Sequence, residues 1–111
     1  MTAAFQITEG ERAWWQQQAA AELTAILAAH PGLPRISWTV GPAGRVLTGH
    51  VNGLVPAGQA RGVFGSWRSA LALEDYREHQ AGTGTVYLHA ASRRNQVMVR
   101  LTGTVFDESP A

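Results

Sequence analysis

Between Thr85 and Phe106 the chain alternates apolar with polar residues, and this alternation limits the possible folds more than any other feature. Successive side chains on a strand point to opposite faces. Thr85 to Ala91 and Gln96 to Phe106 therefore read as the two arms of a hairpin, turned at Ser92-Arg93-Arg94-Asn95, where Ser and Asn suit a turn. With Ala91 opposite Gln96, the pairs Ala90/Val97, Leu88/Val99 and Val86/Leu101 share one face, which must be a core face. The other face then carries Thr85/Thr102, Tyr87/Arg100 and His89/Met98, a mixed surface neither fully polar nor greasy.

A second, shorter alternation lies upstream. Ile36, Trp38 and Val40 share one side of a strand that begins near Arg35, with Ser37 and Thr39 on the other. If Gly41-Pro42-Ala43-Gly44 is the loop, Val40 faces Arg45, Trp38 faces Leu47 and Ile36 faces Gly49. The period changes to helical elsewhere. Thr8-Glu9-Gly10-Glu11 has the form of a capping box, and Trp15, Ala19, Leu23, Ile26 and Leu27 form one stripe that ends at His30-Pro31-Gly32. After Asn52-Gly53 and the Pro56-Ala57-Gly58 loop, Val63, Phe64, Trp67, Ala70, Leu71 and Tyr76 recur at helical intervals until Gly82 offers a left-handed stop.

The order is thus α-β-β-α-β-β. Two amphipathic helices on one face of a four-stranded, antiparallel-rich sheet bury every apolar stripe at once, so the expected fold is an α+β two-layer sandwich. A length of 111 residues suits one domain, 1–111, with an amino-terminal arm over 1–7 and a frayed tail over 107–111. Hydrophobic residues at 45% against 15% charged favour a packed core over disorder. No apolar run approaches the roughly 20 residues of a membrane span and no secretory leader is visible, so a soluble, cytoplasmic protein without a membrane partner is expected.

Composition also removes chemistry. Without cysteine there is no disulfide framework, thiolate metal site or Cys nucleophile. All nine basic residues are arginine and Ala is abundant, which reads as the coding bias of a high-GC bacterial genome, and a net charge of +1 is mild for a nucleic-acid binder. Gly58 to Gly65 enters a helix but lacks the Gly-Lys-Ser/Thr of a P-loop. Ser66 lacks the spacing of a nucleophile elbow, and the carboxylates cluster at helix ends and in the tail. Zinc would need three or four of His30, His50, His79 and His89 at close range; His50 and His89 can share the outer sheet face with Glu74, Asp75 or Glu78 nearby, but nothing in the sequence brings a full set together, and helix-end capping or solvent explains His30 and His79 more simply. No catalytic residue, metal or cofactor is assigned, and the expectation leans away from an enzyme.

The leading expectation is a non-enzymatic interaction or regulatory module acting through protein–protein contacts as a homodimer. Its contact surface would be Tyr87, His89, Met98 and Arg100 on the uncovered sheet face, or the first helix with Trp14; these residue types are enriched at interfaces. Trp15, Trp38 and Trp67 fall on core stripes, whereas Trp14 sits about 100° off its stripe and is either covered by Phe5 and Ile7 or exposed. The alternative is nucleic-acid binding, with Arg45, Arg93, Arg94 and Arg100 on phosphates and Tyr87 stacking on bases. A solvated turn explains Arg93-Arg94 more simply, because Glu74, Asp75 and Glu78 roughly offset the basic count and no continuous basic run exists. A third reading is a small-ligand protein or an enzyme of unspecified chemistry, which requires a cavity near His50 or His89.

Overall fold

The computed structural model describes residues 9–41 and 45–106. Thr8 of the capping box, the arm with Phe5 and Ile7, residues 42–44 of the first turn and the tail lie outside the described residues. Within them the chain runs α1 (Glu9–Ala29), β1 (Ser37–Val40), β2 (Val46–Val51), α2 (Ala57–Leu71), β3 (Arg77–Gln80), β4 (Thr85–Arg94) and β5 (Val97–Phe106). The five strands form one sheet in the order β1-β2-β5-β4-β3, with β2 parallel to β5 and every other pair antiparallel. This is an α+β fold with a mixed sheet. Among the described residues, no helix is long and apolar enough to cross a membrane.

The alternating residues gather on one face as expected. Leu47 and Val51 of β2, Val97, Val99, Leu101 and Val105 of β5, and Val86, Leu88 and Ala90 of β4 are all buried in a single cluster. The helices add Ala19 and Ile26 from α1 and Ala60, Phe64, Trp67 and Leu71 from α2. Two glycines allow the close approach. A Cβ on Gly103 would lie 3.2 Å from the Phe64 ring, and one on Gly49 would lie 2.9 Å from both Trp38 and Ile36. Each buried Val, Leu or Phe side chain contributes about 1.5–3 kcal/mol.

The sheet has five strands rather than the expected four. The segment expected to continue the second helix instead leaves it at Ala72, which takes the left-handed conformation (φ 52°, ψ 45°). The Ala72 N–H donates to the Ser69 carbonyl and the Leu73 N–H to that of Arg68, the Schellman closure usually made at glycine. Leu73 is buried just beyond it, and Arg77–Gln80 then pairs with β4 as the edge strand β3. Gly82, expected to stop the helix, lies between β3 and β4 with φ 67°. Tyr76 folds back over α2, 5.9 Å from Phe64 and beneath the Arg68 guanidinium.

Both hairpins are also longer or tighter than their expected turns. Val40 pairs with Leu47 and Trp38 with Gly49, a shift of two residues. In the second hairpin Arg94 pairs with Val97, leaving only Asn95 (φ 49°) and Gln96 (φ 70°) as a two-residue turn with both φ positive. Ser92 is inside the strand, where its hydroxyl accepts from the Glu74 N–H at 2.9 Å. Both shifts are even numbers of residues, so every side chain stays on its expected face.

One buried carboxylate ties the first helix to this turn. Glu22, only 7% exposed, accepts from Asn95 Nδ2 at 2.9 Å and from Arg94 Nε at 3.3 Å, while Arg94 Nη1 donates to the Leu71 carbonyl at 3.4 Å. The buried stripe of α1 is therefore Ala19, Glu22 and Ile26, rotated so that Leu27 is 45% exposed. Glu22→Ala removes both charge-assisted bonds and should cost about 2 kcal/mol, read in urea as a lower midpoint with unchanged slope. Gln96→Gly, which relieves the left-handed backbone, should raise the midpoint.

Candidate interaction surface on the open sheet face

Because the buried apolar residues of the strands face the helices, the intervening residues line up on the opposite face. The strand registers place them in rows. One row runs Ser37, His50, Thr102, His89, Arg77 across all five strands. The next runs Thr39, Thr48, Arg100, Ala91. Thr104, Tyr87 and His79 form a third, and Val46, Met98 and Arg93 a fourth. Tyr87 is 48% exposed and Phe106 46%, values that indicate no helix or loop among the described residues over this part of the sheet.

Local contacts orient several of these groups. His50 Nδ1 and Thr102 Oγ1 share a hydrogen bond at 2.9 Å. The His79 and Tyr87 rings are stacked at 6.5 Å with an interplanar angle of 7°. Arg77 Nε donates to Asp75 Oδ1 at 3.3 Å at the edge of the face. Arg93 and Arg100 are exposed and make no ion pair among the described residues.

The four sheet residues expected to form the contact surface, Tyr87, His89, Met98 and Arg100, do share this face. They are not the adjacent pairs expected: Tyr87 lies opposite Thr104, His89 opposite Thr102, Met98 opposite Arg93, and Arg100 opposite Ala91. Trp14 is elsewhere, on α1, 47% exposed and T-shaped against Trp15 at 4.7 Å. Arg45 packs its guanidinium 4.3 Å over the Trp15 ring, and Arg94 is held by Glu22, so two of the arginines considered for phosphate contact have partners within the fold. His79, Arg77 and Phe106 join the face unforeseen. Phe106 follows from parity along β5, but Arg-Glu-His-Gln has no apolar alternation to announce β3.

The helix-facing side of β3 takes the opposite charge. Glu78 Oε1 lies 2.8 Å from Arg61 Nη1 of α2, and Tyr76 donates to Glu78 Oε2 at 3.0 Å. These hydrogen bonds, Arg61 first, hold the Glu78 carboxyl below its ordinary range, while burial and then Glu78 itself push the Tyr76 hydroxyl up. A carboxyl lowered in the folded state contributes stability above its unfolded pKa and loses it as pH falls through the folded one. The stability advantage of wild type over Glu78→Gln should thus be full near neutrality and close below about pH 4.3, measured by urea midpoints across pH.

A cavity of about 310 Å³ lies between the end of α1, β1 and α2, lined by Leu27, His30, Ile36, Trp38 and Trp67 among others. Its lining is mostly apolar but includes His30 and Arg35, and Trp67 Nε1 donates to the carbonyl of Pro34, another lining residue, at 2.7 Å. It is bordered by neither His50 nor His89, where a ligand reading would have placed it. No group of three His, Asp or Glu among the described residues could hold a metal ion. Two helices over one face of a five-stranded mixed sheet, with the other face open among the described residues, therefore define an α+β class. No protein-family model matches the chain, and no curated protein matches its sequence.

Proposed function

We propose that the chain is a small non-enzymatic interaction module that works as a homodimer paired through α1, leaving the open sheet face as its working surface. The observation that carries this reading is the charge content of α1. From Ala13 to Ala29 the only charged side chain is Glu22, and it is buried. The outward face instead presents Ala13, Gln17, Ala20, Thr24 and Leu27 at three- and four-residue steps, flanked by Trp14, Ala21 and Ala28, all exposed. A surface helix normally carries charge opposite its core stripe.

Small side chains let a second helix approach closely, and Thr24 turns its hydroxyl back onto the Ala20 carbonyl at 3.0 Å, which removes a polar group from the face. A two-fold contact makes each patch meet itself. Centred between Ala20 and Ala21 with the helices antiparallel, it sets Gln17 of one copy against Thr24 of the other and Ala13 against Ala28, while the exposed Trp14 and Leu27 flank the seam on opposite edges. The sheet face is poorer for self-pairing, since Arg93 and Arg100 would meet like charges.

Sedimentation velocity at micromolar to millimolar concentration should show a dimer. Ala21→Glu, which puts two carboxylates at the two-fold centre, should give a monomer with an unchanged circular-dichroism spectrum. A wild-type protein that stays monomeric throughout would overturn the reading.

A further inference from the structure

We propose that the open sheet face binds single-stranded nucleic acid. The inference rests on the reading of that face as the working surface, and is independent of dimer formation. Its first support is a sorting of charge between the two sides of the sheet. Among the described residues, the outward side chains of the strands include Arg77, Arg93 and Arg100 together with His50, His79 and His89, and no Asp or Glu. The strand carboxylate Glu78 is turned toward Arg61 on the helix side, and Asp75, just ahead of β3, is taken up by Arg77. Arg93 shares a cleft with Glu74 and Asp75 at one edge of the sheet without an ion pair to either, and Arg100, on the central strand, is left uncompensated on a face whose complement is a polyanion.

The second support is aromatic. Tyr87 and Phe106 are the two large apolar groups left exposed on this face, one on each central strand of the longer hairpin. Tyr87 faces Thr104, two residues from Phe106, so the two rings occupy diagonal positions of adjacent strands. His79 holds the Tyr87 ring by a parallel stack. An acidic peptide would use the arginines and leave these rings idle; unstacked bases use both, because every base offers a π face to an aromatic side chain and a phosphate to a cation.

Shape selects the single strand over the duplex. Reading a B-DNA groove requires a helix or a two-stranded ribbon that projects into it. The five-stranded face is a broad surface, and between its cations lie Thr48, Thr102 and Thr104, hydroxyls that can donate to or accept from base edges. Arg94 and Arg45 take no part, being committed to Glu22 and Trp15.

The test is fluorescence anisotropy of the full chain with labelled oligothymidylate and oligouridylate, the corresponding duplex, and polyglutamate as competitor, over a range of salt. Wild type should bind the single strands more tightly than duplex. Tyr87→Ala should weaken binding about 5- to 150-fold at unchanged salt slope, and Arg100→Gln should reduce the magnitude of that slope by about 0.7. Arg12→Gln on α1 should change neither. Ala21→Glu should bind as wild type does, so a failure of the dimer reading is seen separately. The proposal is overturned by absence of binding at the lowest salt with the fold intact, by equal affinity for duplex, or by displacement by polyglutamate together with no effect of Tyr87→Ala.

Discussion

The parallel pairing of β2 with β5 is the constraint on which the rest of the molecule depends. The β1-β2 hairpin alone would be a two-stranded ribbon, which is marginal in water, and β3-β4-β5 alone would be a narrow three-stranded sheet. Joining them edge to edge, Val46 beside Met98 through Val51 beside Gly103, makes one sheet wide enough to bury a face. Parallel neighbours need a crossover, and here it contains α2, whose Phe64 settles onto the bare backbone of Gly103. Once that contact is made, the apolar alternates of three strands share one roof.

That one-sided roof also explains where the charges go. The helices occupy the apolar face, so carboxylates that serve structure are drawn to it: Glu22 reaches the second hairpin's turn, and Glu78 reaches Arg61 and Tyr76. The uncovered face keeps arginine, histidine, threonine and two exposed aromatic rings. Its basic character therefore follows from the pairing of acidic groups elsewhere rather than from any excess of basic residues, consistent with a chain whose net charge is only +1. Overall charge is a poor guide to such a surface.

Much of this was legible in the residues. The two-residue period fixes which side chains share a face even when the register is displaced by two or four positions, which is why Tyr87, His89, Met98 and Arg100 fall together although none meets its expected neighbour. The apolar residues of α2 up to Leu71 are likewise plain. What stayed hidden has identifiable causes. Ala72 closes a helix in a conformation that glycine normally announces, and the exposed edge strand Arg77–Gln80 has no buried face to impose a pattern. Glu22 is polar at a core position, so the helical stripe read from apolar residues alone was turned toward Leu27. Asn95 announced a turn, but Gln96 in a left-handed conformation did not.

Hydroxyl-radical labelling read out residue by residue tests the central claim, a sheet covered on one face and open on the other. Tyr87 and Phe106 should be modified rapidly, and Phe64 and Trp67 strongly protected. Protection of Tyr87 and Phe106 comparable to that of Phe64, in the protein without added ligand, would mean that the face is covered and would contradict the account.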